Sequence, residues 1–407
     1  MNHNLAHLHP YPFAKMNTLL ADSTPAAAYS EIKLGIGEPK HAPPAFVMDE
    51  LRENLDKLSH YPTTAGTFEL RQAIAHWLEA RFFLQHVNAA TQVLPVMGTR
   101  EAIFSFVQAA IDTDAQRETR PVVVMPNPFY QIYEGAAILA DADCHFVPCT
   151  ADNGYKGDYN AVPESVWQAA QMVFVCSPNN PTGAVMTMSD WEDLLRLSDK
   201  YDFIVASDEC YSELYFDEAP IGLLQACSAL GRNDFKNCVV FHSLSKRSNL
   251  PGLRSGFIAG DAALLQAYLQ YRTYQGCAMP IPHQLASIKA WQDETHVADN
   301  RALYQQKFAL WMQELGELLD LRMPEAGFYL WVKAPAQFNH DDEAFVKALY
   351  EQVNIHALAG RYLSREVDGH NPGAGYVRLA LVASVEENLE AITRIRTLLT
   401  NTAALSA

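Results

Sequence analysis

Five apolar runs mark the middle of the chain: PVVVMP at 121–126, MVFVCSP at 172–178, DFIVASDE at 202–209, CVVFHSLSK at 238–246 and SGFIAG at 255–260. Each is rich in Val, Ile or Phe and fails to alternate with polar residues, the pattern of strands buried on both faces. Between them the pattern turns amphipathic. SDWEDLLRLSDKY (189–201) carries its apolar residues at helical spacing, and Ser189 with Glu192 three residues on reads as its N-terminal cap. Strands alternating with helices predict an α/β fold with a parallel or mostly parallel sheet. In such sheets ligands bind beyond the carboxyl ends of the strands.

Polar residues collect where that rule puts a ligand. SPNNPTG (177–183), SDECY (207–211) and SLSK (243–246) close three of the runs. Any one of them could be only a turn, a helix cap or a loop. Together they bring Asn180, Asp208 with Tyr211, and Lys246 to three strand ends. Lys246 stands among Ser, Asn, Pro and Gly, with Arg254 eight positions later. Upstream, MGTREAIFSFVQAA (97–110) is a small-residue turn entering an apolar-periodic helix, whose first N–H groups at Thr99 and Arg100 can bind an anion.

Composition narrows the partners. The chain has 407 residues, 49% hydrophobic and 19% charged, enough for two domains and a sizeable core. Its formal net charge of -17 opposes a broad basic surface, so no nucleic acid is expected. The start shows no basic stretch leading into an apolar one, and no run approaches a membrane span; the expectation is a cytoplasmic protein with no membrane partner. Seven scattered cysteines without C-x-x-C, and 14 histidines without H-E-x-x-H, suggest neither disulfides nor a metal site. Most of the cysteines read as small buried apolar residues.

The three strand-end clusters, with GIGEP (35–39), PNPFYQIY (126–133) and GYVRLALV (375–382), resemble the class I, fold-type I aminotransferases that depend on pyridoxal 5'-phosphate. The likeness spans nearly the whole chain. It implies that Lys246 forms the Schiff base with the cofactor aldehyde and then carries the α-proton, and that Asp208 pairs with the pyridine nitrogen. It implies that Tyr211 and Asn180 bond the ring's phenolic oxygen. Tyr130 fits the ring-stacking position, with Phe129 second. Arg254, Ser243, Ser245 and the Gly98, Thr99, Arg100 turn would cradle the phosphate. Arg378 would take the substrate α-carboxylate with Gly37 nearby, although an arginine in an apolar strand could also be an edge-strand charge. Tyr61 matches a tyrosine that reaches the phosphate of a neighbouring subunit, which implies a homodimer with shared active sites.

The same resemblance implies a large cofactor-binding domain over 46–286. A smaller α+β domain would be built from 1–45 and 287–407, with PEAGFYLWV (324–332) as one of its strands. The rival readings are a lyase acting at the β-carbon, which shares the constellation, and a regulator that binds the cofactor without turnover. The second is disfavoured by the lack of a helix-turn-helix pattern. The phrases LHPYPFAKM, GEPKHAPPAF, SDECYSELYF, HSLSKRSNLPGLRSGF and YRTYQGCAM resemble the N-succinyldiaminopimelate branch of the family. That implies amino exchange between N-succinyl-LL-2,6-diaminopimelate and 2-oxoglutarate, with N-acetylornithine as the alternative substrate. A substrate with distal carboxylates calls for further cations, sought at Lys40, Arg100, Arg272, Arg361 and Arg365, with Arg361 preferred.

Overall fold

All five apolar runs become strands of one sheet. A computed structural model describes residues 1–114 and 119–405. Its strands are β1 (Ile32–Lys33), β2 (Val93–Val96), β3 (Val122–Asn127), β4 (Asp143–Pro148), β5 (Ala170–Cys176), β6 (Ile204–Asp208), β7 (Cys238–Ser243), β8 (Gly256–Gly260), β9 (Tyr329–Lys333), β10 (Ile355–His356), β11 (Leu358–Ala359) and β12 (Tyr376–Ala380). Seven of them form a sheet in the order β2-β8-β7-β6-β5-β3-β4. Within it β8 runs antiparallel to both neighbours, while β4, β3, β5, β6 and β7 pair in parallel. The fold is α/β with a mostly parallel sheet between helices.

Burial explains why the runs do not alternate. In β7, Cys238 and Val240 join a core with Trp77, Trp191 and Phe203 on one face of the sheet. Val239 and Phe241 join Ile103, Phe106 and Tyr133 on the other. A strand covered on both sides has no solvent face to make polar. The helix Met188–Tyr201 lies in the first of these cores through Trp191, Leu194 and Leu195. Its cap differs from the expected Ser189 and Glu192. Thr187 is the capping residue, accepting the Asp190 N–H at 3.2 Å while the Asp190 carboxylate accepts the Thr187 N–H at 2.8 Å. The shorter aspartate closes the capping box two residues earlier, and its other bond to Lys156 at 2.6 Å fixes it there.

A third core stands apart from the sheet. It gathers Met16, Ile32 and Leu34 from the N-terminal segment with residues between Phe308 and Leu399. There β11-β12-β9 form an antiparallel sheet, and β1 pairs with β10 in parallel. The strand expected at 324–332 begins at Tyr329, after the turn around Gly327. Among the described residues no helix is long and apolar enough to cross a membrane.

Candidate active site

The carboxyl ends of β5, β6 and β7 are Cys176, Asp208 and Ser243, and all three line a cavity of about 650 Å³. Cys176 and Asp208 are direct neighbours in the strand register. Asp208 is buried, with one carboxylate oxygen accepting the Tyr133 hydroxyl at 2.7 Å and the other the Cys210 N–H at 3.2 Å. Tyr133 is held in turn by stacking on Phe174, with ring centroids 4.4 Å apart. Burial raises the Asp208 pKa, against the pull of these hydrogen bonds. Among the described residues no lysine, arginine or histidine forms an ion pair with it. A buried carboxylate so placed is complementary to a cation brought in by a ligand.

Lys246 lies in the short helix Leu244–Arg247, directly after β7. The Ser243 hydroxyl caps the start by accepting the Ser245 N–H at 3.1 Å. At the other end Asn300 donates its amide to the Lys246 and Arg247 carbonyls at 3.0 and 3.3 Å, filling acceptors that a helix terminus leaves open. Since the Asn300 nitrogen donates, its oxygen accepts. His41 Nδ1, 2.7 Å from that oxygen, therefore carries the proton, and His41 Nε2 receives the buried Lys307 ammonium at 2.7 Å. Arg247 anchors the same turn from below, against Trp77 and Trp291 and in an ion pair with Glu294.

The Lys246 ammonium donates to the Gly37 carbonyl and faces the Phe328 ring, 5.1 Å from its centroid. Burial lowers its pKa to about 8. At pH 7 roughly one such amine in ten is neutral, against fewer than one in a thousand for an ordinary lysine. Desolvation disfavours the charged form, so the nucleophile appears at lower pH. Labelling of Lys246 by an amine reagent, followed by peptide mapping of the cofactor-free protein, is expected to rise with a midpoint near 8 and then level off. A midpoint at the solvated value of 10.5 would show that the cleft does not dehydrate this lysine.

Opposite Asp208, donors gather for an anion. Gly98, with φ of 82°, begins the helix Thr99–Ala110, and a Cβ there would collide with the Arg254 guanidinium. Arg254 also donates to the Pro251 and Met97 carbonyls, at 2.8 and 3.3 Å. The Ser243 and Ser245 hydroxyls sit 2.8 Å apart beside it. A helix start, a guanidinium and two hydroxyls suit a phosphate.

Arg378 closes another side. β12 is the middle strand of its sheet, so Arg378 is no edge charge; it is buried, and bonds the Asn180 side-chain oxygen at 3.0 Å and the Gly35 carbonyl at 2.8 Å. It packs on the Tyr329 ring, and its buried Nε has no partner. Tyr211 meets Tyr329 hydroxyl to hydroxyl at 3.0 Å. Gly37 fits because a Cβ would collide with the Tyr329 hydroxyl.

The cleft thus brings together Gly37, Thr99, Arg100, Tyr130, Asn180, Asp208, Tyr211, Ser243, Ser245, Lys246, Arg254 and Arg378. Gly98 touches it only through Arg254. Phe129 is buried against Phe146 rather than facing the cleft. Tyr61 is 100% exposed and lies outside the lining. The expectation for Arg361 is corrected. Its guanidinium is held by Asp341 at 2.8 Å, Asp342 at 2.6 Å and Glu343 at 3.1 Å, and it is not among the residues that line the cleft. Arg365 is similarly bound to Glu134, and Arg272 to Glu101. Tyr11, Glu38, Cys176, Cys210 and Tyr329 line the cavity without having been singled out, and two of these are cysteines expected only to fill space. Tyr133 stood inside PNPFYQIY, three residues past the tyrosine chosen there.

A family model described as aminotransferase class I and II matches residues 29–395. The chain is 30% identical over 400 residues to an LL-diaminopimelate aminotransferase of Nitratidesulfovibrio vulgaris, covering 97% of this chain and 98% of that one. A crystal structure of an aminotransferase from Neisseria meningitidis is 48% identical, with a TM-score of 0.93 over 98% of this chain and 100% of that one. A probable N-succinyldiaminopimelate aminotransferase from Thermus thermophilus is 26% identical, with a TM-score of 0.83 over 95% of this chain and 100% of that one.

Proposed function

The chain belongs to the class I and II aminotransferases, whose cofactor is pyridoxal phosphate, and from that premise we propose that it moves an amino group between glutamate and a diaminopimelate-type oxo acid, N-succinyl-2-amino-6-oxopimelate in the first instance. The observation that carries the aminotransferase chemistry is the convergence on one cleft of a lysine of lowered pKa, a buried carboxylate without a cation, and two guanidinium groups. Pyridoxal phosphate supplies the aldehyde that captures amines and the ring that takes up electrons from the α-carbon.

The residues divide the remaining work. Lys246 would hold the cofactor aldehyde and, once free, would serve as the base for the substrate α-proton. Asp208, steadied by Tyr133, would pair with a protonated ring nitrogen. Arg378, its fork set by Asn180 and Gly35, receives the α-carboxylate. Arg254, the two serines and the turn at Gly98 hold the phosphate. Phe328 lies against the lysine and Tyr329 against the arginine.

The same reading makes the protein a homodimer in which Tyr61 reaches the neighbouring subunit's phosphate. Its complete exposure beside exposed Leu55 and Leu58 supports this. The diaminopimelate skeleton is supported by two of the relatives, an LL-diaminopimelate aminotransferase and a probable N-succinyldiaminopimelate aminotransferase, which differ in whether the far amine is free or succinylated. A second reading with free LL-diaminopimelate is therefore kept. A coupled assay of transfer to 2-oxoglutarate from succinylated diaminopimelate, LL-diaminopimelate, N-acetylornithine and aspartate decides; the expected order starts with the succinylated compound, and a preference for aspartate would sink the assignment. In the same assay Arg378→Ala is expected to lose about 100-fold in kcat/KM for every donor alike, since all share the α-carboxylate. Selective loss for one donor would remove Arg378 from that role.

A further inference from the structure

Of the cations sought for a distal carboxylate, Arg272, Arg361 and Arg365 are each committed to protein carboxylates. Arg100 is not. It stands in the first turn of the helix Thr99–Ala110 and lines the cavity. Its Nε donates to the Tyr130 hydroxyl at 2.7 Å, and among the described residues no acidic side chain pairs with it. With Nε held, no hydrogen bond among the described residues takes the two terminal nitrogens, and the residue is exposed. Arg378 and Arg254, the cleft's other guanidinium groups, already spend donors on backbone or amide oxygens.

We propose that Arg100, oriented by Tyr130, receives the carboxylate at the far end of the substrate and so selects dicarboxylic amino acids over monocarboxylic ones. This rests on the aminotransferase reading above. A guanidinium fixed at Nε keeps the geometry a carboxylate matches with two hydrogen bonds, which a mobile lysine cannot offer. Arg378 holds one end of the substrate and Arg100 the other, so chain length becomes a selected property. Arg100 and Lys246 share the cavity, and the charge of Arg100 adds to the lowering of the lysine's pKa.

The test compares wild type with Arg100→Met, which keeps the apolar stem, and Arg100→Lys, which keeps the charge and loses the fork. Donors are alanine, glutamate, 2-aminoadipate and 2-aminopimelate. The ratio of kcat/KM for the best dicarboxylic donor to that for alanine is expected to fall about 10- to 100-fold in Arg100→Met and to recover only in part in Arg100→Lys. Calorimetric binding of pimelate is expected to weaken by a similar factor, with hexanoate little affected. Parallel losses for all donors, or weaker cofactor binding with an unchanged ratio, would place Arg100 in the phosphate cradle instead and overturn the proposal. A wild type without preference for dicarboxylic donors also overturns it. A wild type that turns over glutamate but no diaminopimelate derivative fails the substrate assignment alone, and the glutamate-to-alanine ratio still decides the role of Arg100.

Discussion

Lys246→Ala is expected to lose transamination by about 10⁴-fold or more, because one substitution removes both the covalent hold on the cofactor and the base for the α-proton. The fold should survive. Lys246 is half-buried on a turn secured at both ends by Ser243 and Asn300, and its ammonium is a cost to the cofactor-free protein because burial lowers its pKa. Thermal unfolding of the cofactor-free variant should therefore match or slightly exceed wild type. Borohydride treatment followed by gel filtration supplies the second readout. Cofactor that stays covalently attached to Lys246→Ala would identify a different lysine as the reactive one.

Asp208→Asn is expected to lower turnover by about 10²- to 10⁴-fold, the cost of taking the partner from a buried charge. The amide keeps the shape and an oxygen for the Tyr133 hydroxyl, and gives up the charge together with the bond accepted from the Cys210 N–H. The two forms of the protein should respond in opposite directions. Because burial raises the Asp208 pKa, the folded cofactor-free chain binds this proton more tightly than the unfolded chain does. The resulting stabilisation is complete below the unfolded carboxylate value of about 3.9 and disappears as pH rises through the folded value. At neutral pH the bare carboxylate is thus a burden, and Asp208→Asn should raise the melting temperature of the cofactor-free protein by roughly 1–3 °C. The added stability that wild type gains from cofactor should shrink in the variant. A variant that is near normal in turnover and destabilised without cofactor would refute the assignment.

The sheet and its strand-end chemistry were legible because each piece is local. An apolar run and the polar residues that end it are contiguous, so CVVFHSLSK carries β7, its serine cap and its lysine in one reading. What escaped depends on long separations. The carbonyl cap on Lys246 comes from Asn300, 54 residues away, and the Arg378 contact with Gly35 spans 343. The partners of Arg361 escaped at shorter range: Asp341, Asp342 and Glu343 lie 18 to 20 residues before it, yet nothing in the spacing says that the chain doubles back to meet it. A sequence cannot tell a free guanidinium from a neutralised one. The helix cap slipped by two residues since Thr187 with Asp190 and Ser189 with Glu192 satisfy the same pattern, and Lys156 favours the first.

The reversal of β8 fixes the mechanics of the lysine. Ser243 faces Gly256 across the β7–β8 ladder, so residues 244–255 leave and re-enter the sheet at adjacent points. A segment tied at both feet cannot swing as a hinge; it shifts only when the ladder itself opens. Hydrogen exchange should therefore be slowest, at global unfolding, for the amides of Val240, Phe241 and Ile258, and the backbone of Lys246 should share the protection of its helix turn. The wall from Ile36 to Glu38 follows the two-residue strand β1 and is tied at Leu34 and Gly35 by single bonds to His356, Ala380 and Arg378 rather than by a ladder, and it should exchange sooner. One jaw of the cleft is an anvil, and adjustment to substrates of different length falls to the other.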